Sequence, residues 1–194
     1  MKFLIATKNK HKIAEFSAIF SALSLELISE KDLDKPLTEA EENGNTFEEN
    51  ALIKARTAAA ETGLPTIADD SGLCVDALGG EPGIYSARYA GEHGDDKANN
   101  RLLLEKLKNV ENRRAQFVCS IACVFPDGRE FTVRGVCEGN IDTCERGNGG
   151  FGYDPLFISD AKGSFGLISA EEKNSVSHRA NAIKLFSKEI INYI

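Results

Sequence analysis

No apolar stretch in this 194-residue chain approaches the roughly 20 residues that a membrane-spanning helix needs. There is no internal repeat, low-complexity tract or long linker, so one domain covering residues 1–194 is expected. The opening Met1-Lys2-Phe3-Leu4-Ile5-Ala6 reaches polar residues by Thr7, too soon for a signal peptide, and reads as a core strand. Five cysteines form no CxxC pair; free thiols in a reducing cytosol are expected, and a zinc site is not. Basic residues are outnumbered 30 to 23, a net charge of −7, which argues against a protein that coats nucleic acid. A small anionic substrate is not excluded, because it needs only a few local cations. The expectation is therefore a cytoplasmic protein with neither a membrane nor a nucleic-acid partner.

What is present is a mixture of helical and strand periods. Ile13, Phe16, Phe20 and Leu23 recur at spacings of three and four, predicting a helix behind the first strand. A short strand is predicted at Leu25–Ile28. Thr46 and Glu49 form a capping-box pattern; Phe47, Ala51, Ala55, Ala58 and Ala59 make one apolar face, and Gly63 and Pro65 stop the helix. Thr66-Ile67-Ala68 then reads as a buried strand whose tip is Asp69-Asp70, with Ser71-Gly72 as a turn. A helix from Asp95 or Asp96 to about Lys108, a hairpin over about 115–138 around Pro126-Asp127-Gly128, and a strand at Asp154–Ile158 follow. A last helix is predicted over about Ser175–Ile191. Without strict alternation of strand and helix, the pattern predicts an α/β fold with a mixed sheet.

Five constellations carry chemistry. Lys8, Lys10 and Lys12, with Thr7 and Asn9, approach a helix start whose N–H groups favour anions; the same lysines would also be at home in solvent. Glu39, Glu41, Glu42, Asp69 and Asp70 supply the one to three carboxylates that a magnesium site needs, although Glu39–Glu42 also reads as a solvated acidic loop. Lys54 lies near the edge of its helix's apolar stripe and either snorkels to water or points into a cleft. Gly149-Gly150-Phe151-Gly152-Tyr153-Asp154 offers an aromatic face that backbone and ligand can approach closely, or else a turn around a core Phe. Lys173 and Ser177-His178-Arg179 bring donors suited to a carbonyl oxygen, or a satisfied helix start. His11 and His93 read as surface residues.

In this order the segments resemble the inosine triphosphate pyrophosphatase family over nearly the whole chain. Thr7-Lys8-Asn9-Lys10-His11-Lys12 fits its T-x-N-x-x-K opening. Thr46–Ala51 with Lys54, Ile67–Leu73, Pro82–Tyr89, Gly149–Pro155, and Glu172-Lys173 with Ser177-His178-Arg179 fit the later blocks. His11, where a small residue is common, and Cys74 are the departures. The resemblance implies an elongated mixed β-sheet with flanking helices and two lobes separated by an active-site cleft, usually as a homodimer. It implies Mg2+-dependent hydrolysis of ITP, dITP and XTP to the monophosphate and pyrophosphate. Asp70 is then the base for water and, with Glu41, which is placed by its position three before Gly44, a ligand of Mg2+. Thr7, Lys8, Asn9, Lys10, His11, Lys12 and Lys54 hold the triphosphate, and Ser71 contacts substrate. Phe151 stacks on the purine, while Gly152, Tyr153, Asp154, Lys173, His178 and Arg179 surround the base or its phosphates. A pyrophosphatase for other modified nucleotides and a non-catalytic nucleotide sensor are the alternatives. Of the acidic pair, Asp69 is expected to support Asp70 from behind, since neighbours on a strand point to opposite sides.

Overall fold

The computed structural model describes residues 2–7, 9–22 and 25–194, without the side chains of Lys10, His11, Glu15, Ala18, Ile19 and Ala22. Seven strands, β1 (Lys2–Ile5), β2 (Glu26–Ser29), β3 (Thr66–Val75), β4 (Arg114–Val124), β5 (Glu130–Ile141), β6 (Phe157–Ser159) and β7 (Gly163–Ser164), form one sheet in the order β2-β1-β3-β4-β5-β6-β7. β1 runs parallel to β2 and β3, whereas β5, β6 and β7 pair antiparallel, so the sheet is mixed as its sequence predicts. The helices are α1 (Lys10–Ala22), α2 (Phe47–Thr62), α3 (Asp96–Lys106), α4 (Ala170–Val176) and α5 (His178–Glu189). None of the described helices is long and apolar enough to cross a membrane.

The chain divides into two compact units, and it passes from one to the other within β3, between Asp70 and Ser71. The first unit has two apolar clusters. Phe3, Ile5, Phe16, Phe20, Ile67 and Phe186 belong to one; Ala51, Ala55, Ala59, Ala68 and Val124 belong to the other. The second unit packs Leu73, Val75, Leu103, Phe117, Tyr153, Phe157 and Phe165. Phe16 and Phe20 bear out the predicted face of α1; Leu23 lies outside the described residues.

Four local predictions need correction. The strand predicted at Asp154–Ile158 begins only at Phe157, because Asp154–Leu156, with Pro155 in the turn, form a single 3-10 turn. β3 does not end at the acids: it continues through Ser71-Gly72 to Val75. The turn signal is overridden because Leu73 and Val75 are fully buried in the second unit's core. The predicted last helix is two helices broken at Ser177, whose extended ψ of 156° ends α4 and whose Oγ accepts the Ala180 N–H at 3.1 Å to cap α5. Thr46 caps α2 by accepting the Glu49 N–H at 3.1 Å, but Glu49 reaches back to the Asn45 N–H at 2.6 Å and not to Thr46.

Candidate active site

In the first unit, the strand period decides what each acid meets. Ile67 faces the cluster that holds Phe16 and Phe20 of α1, and Ala68 faces the α2 alanines. Two residues further along, Asp69 pairs with Lys12 of α1 at 2.8 Å, and Asp70 meets Asn50 and Lys54 of α2. Asp69 is 3% exposed and also receives the Cys119 thiol at 3.8 Å. Asp70 accepts from Asn50 Nδ2 at 3.3 Å on Oδ2 and from Lys54 Nζ at 3.4 Å on Oδ1. Burial pushes the Asp70 carboxyl up from its usual range; Lys54 and Lys12 oppose that shift, while Glu42 and Asp69 add to it. Burial alone would lower Lys54, but Asp70, Asp69 and Glu42 outweigh it and raise its affinity for the proton.

The loop before α2 brings Glu42 to Lys54, at 3.2 Å; Glu41 and Glu42 are both exposed. Asn50 Oδ1 accepts the Gly44 N–H at 2.9 Å, so one buried amide fixes both this loop and Asp70. No group of three or more His, Cys, Asp or Glu side chains among the described residues is placed to hold a metal ion. Two carboxylates around Asp70 and Lys54 still suit magnesium, which takes one or two carboxylates and completes its shell with water and phosphate oxygens.

At the α1 start, Thr7 Oγ1 accepts the Asn9 N–H and Asn9 Oδ1 accepts the Lys12 N–H, both at 3.3 Å. These side chains shape the turn and cap the helix. Lys8 lies outside the described residues, as do the side chains of Lys10 and His11.

The second unit gathers the remaining residues. Phe151 is 37% exposed, and its N–H donates to Asp154 Oδ2 at 2.9 Å. Lys173 reaches the same oxygen at 2.5 Å and lies 4.5 Å from the Phe151 ring centroid. A buried ammonium thus backs an exposed aromatic face and is neutralised by the acid that holds its loop. Burial raises the Asp154 carboxyl, with Lys173 opposing. A Cβ on Gly150, at φ +75°, would stand 2.0 Å from Asp154 Oδ2, so no other residue fits. Tyr153 is buried and donates to the Ser86 C=O at 2.9 Å, making it an anchor and not a ligand surface.

His178 and Arg179 open α5, both buried. His178 stacks on Phe117 with centroids 4.9 Å apart, and Arg179 donates to Ser71 Oγ at 3.3 Å. Ser71, Arg179 and His178 therefore share one neighbourhood with unit-two packing.

Residues 3–189 match the Ham1 family. This chain belongs to the Ham1 family. A dITP/XTP pyrophosphatase of Geobacter sulfurreducens is 50% identical over 193 residues, spanning 97% of this chain and 96% of its own. One from an Exiguobacterium species is 47% identical over 100% of this chain and 99% of its own. The Staphylococcus aureus Ham1 protein superposes with a TM-score of 0.91 at 43% identity over 100% of both chains, and a HAM1 protein from Coxiella burnetii with 0.92 at 36% over 99% of both.

For this Ham1 chain, sequence reasoning missed Asn50, Asp96 and Asn100. Asn50 stands one turn before Lys54 on the same helix face, a spacing that could have suggested it. Asp96 and Asn100 meet the Gly152 backbone across more than 50 residues, which no local pattern reveals.

Proposed function

We propose that the chain hydrolyses dITP, XTP and ITP to the nucleoside monophosphate and pyrophosphate. The observation that carries this reading is the Asp70 carboxylate held between Asn50 and Lys54 with Glu42 beside it. The dITP/XTP pyrophosphatase names of relatives that match the chain end to end support it.

The residues around Asp70 serve the phosphates. Asp70, held by Asn50 and Lys54, accepts the proton of the attacking water. Lys54, Lys12 and the N–H groups at the start of α1 neutralise the charge that collects on pyrophosphate as the phosphorus–oxygen bond breaks. Lys8, Lys10 and His11 extend this cationic loop. Mg2+ would be held by Asp70 and one carboxylate of the Glu41–Glu42 pair, and when bound it withdraws charge from phosphate oxygens.

The residues around Phe151 serve the base. The purine stacks on Phe151 beside Gly152, with Asp154 and Lys173 holding the platform and Tyr153 anchoring it. His178 and Arg179 donate to the 6-oxo group, and Ser71 contacts substrate next to Asp70. A 6-amino purine would set donor against donor, and a site built around such hydrogen bonds can discriminate by orders of magnitude. The working protein is a single-domain cytoplasmic homodimer in this reading. The test is a panel of dITP, XTP, ITP and ATP with and without Mg2+, measuring released pyrophosphate. Strong preference for the 6-oxo bases and a requirement for the metal are expected; equal rates on ATP and ITP would sink the base assignment.

A further inference from the structure

The loop that carries Phe151 is gripped from α3 on both sides of one residue. The Gly152 N–H donates to Asp96 Oδ2 at 2.7 Å, and the Gly152 C=O accepts from Asn100 Nδ2 at 3.1 Å. Asp96 and Asn100 are four apart and so lie on one face of α3, one turn from each other. Asp96 sits in the first turn, where the helix end favours a carboxylate. Gly152 holds a left-handed φ of +61°, yet a Cβ there would meet nothing within 4 Å. Its backbone conformation is therefore set by what holds its two polar groups and not by crowding.

Asn100 is a poor choice for the fold alone. It is 3% exposed, and its Oδ1 has no hydrogen-bond partner among the described residues. A buried acceptor left unpaired costs folding free energy, and an apolar side chain of the same shape avoids that cost. The neighbouring Asn99 is spent elsewhere, on the Ala90 N–H at 2.8 Å. What Asn100 does achieve is to hold the Gly152 C=O, one peptide beyond the one that Asp96 holds next to the exposed Phe151.

We propose that Asp96 and Asn100 are positioning residues that fix the plane of Phe151, and through it the discrimination between 6-oxo and 6-amino purines. This rests on the functional reading above. Donors such as those of His178 and Arg179 are fixed by burial, so they select a base only if its plane is fixed too. A platform free to tilt lets a 6-amino base slide away from the mismatch and costs the 6-oxo base its alignment.

The test compares Asp96→Ala, Asp96→Asn and Asn100→Leu with the unaltered protein. The readouts are KM and kcat for XTP and ATP, inhibition by inorganic triphosphate, and the melting temperature. Asp96→Ala and Asn100→Leu are expected to raise the KM for XTP about tenfold and to lower the XTP-over-ATP ratio of kcat/KM by a similar factor. Inhibition by triphosphate, which has no base, should be unchanged. Asp96→Asn keeps an acceptor for the Gly152 N–H and should restore discrimination, and Asn100→Leu, which leaves the Gly152 C=O without its donor, should lower the XTP-over-ATP ratio while still giving a cooperative melt. Equal losses on XTP and ATP with weakened triphosphate inhibition, or Asp96→Asn behaving like Asp96→Ala, would overturn the proposal. An unaltered protein that turns over XTP and ATP alike overturns the functional reading and this inference with it. A discriminating parent whose variants discriminate equally well overturns this inference alone.

Discussion

The electrostatics around Asp70 make a prediction in which two neighbouring substitutions act in opposite directions. Lys54 Nζ stands 3.4 Å from Asp70 Oδ1, and both side chains are largely shielded, at 17% and 13% exposure. Two unit charges at that distance attract by about 1 kcal/mol in a water-like dielectric and by about 5 kcal/mol at an effective dielectric of about 20. Removing the ammonium should raise the Asp70 titration further, with Lys12 and Asn50 left in place to limit the rise. Glu42 pushes the other way, so Glu42→Gln should lower it. The assay is the carboxyl carbon shift of Asp70 followed against pH by NMR in metal-free protein, assigned by its loss in Asp70→Asn. The parent should titrate above the usual aspartate range, Lys54→Met higher still, and Glu42→Gln lower than the parent. Stability follows with a fixed sign. A carboxyl raised on folding contributes stability that is present below the ordinary carboxylate range and lost as pH rises through its folded value. Lys54→Met should therefore lose stability on going from acid to neutral pH more steeply than the parent. A Lys54→Met titration that stays in place or falls would refute the reasoning.

Three further outcomes are expected. Asp70→Asn should keep the parent's circular dichroism and lose about 10²–10⁴-fold in kcat, the usual contribution of a positioned base; near-parent turnover would remove Asp70 from that role. Gly150→Ala forces a left-handed alanine and a clash with Asp154, so urea denaturation should show a loss of about 1–3 kcal/mol together with a raised KM for XTP, and an unchanged KM would separate this loop from the base. Thr46→Ala should cost about 1 kcal/mol in the same denaturation experiment, with Thr46→Ser near neutral.

What the sequence reveals, and what it hides, divides along physical lines. α2 was legible because its cap, apolar face and stop are all local to Thr46–Pro65. The mixed sheet was legible from strand and helix periods that did not alternate. The continuation of β3 was hidden because Ser71-Gly72 is a turn in isolation, and only the burial of Leu73 and Val75 overrules it. The break at Ser177 was hidden because Val176 and Ala180 carry a helical spacing straight across it, although a serine before His178-Arg179 was itself a cap signal. The Glu42–Lys54 pair was hidden for a different reason: an irregular loop has no period, so nothing in it fixes which neighbour reaches the helix. The residues around Asp70 and Phe151 were found as types, but their division of labour came only from contacts made across long stretches of chain.

The alternation along β3 has an evolutionary consequence. Asp69 and Asp70 are chemically the same side chain, made different only by parity: odd positions look to α1 and even positions to α2. Losing or gaining a single residue between Ile67 and Asp70 would hand each acid the other's partners while leaving the composition of the motif untouched. Drift in this segment is therefore confined to substitutions and to paired insertions or deletions. The strand works as a counting device, and descendants of this sequence can vary what surrounds the two acids far more freely than how many residues precede them.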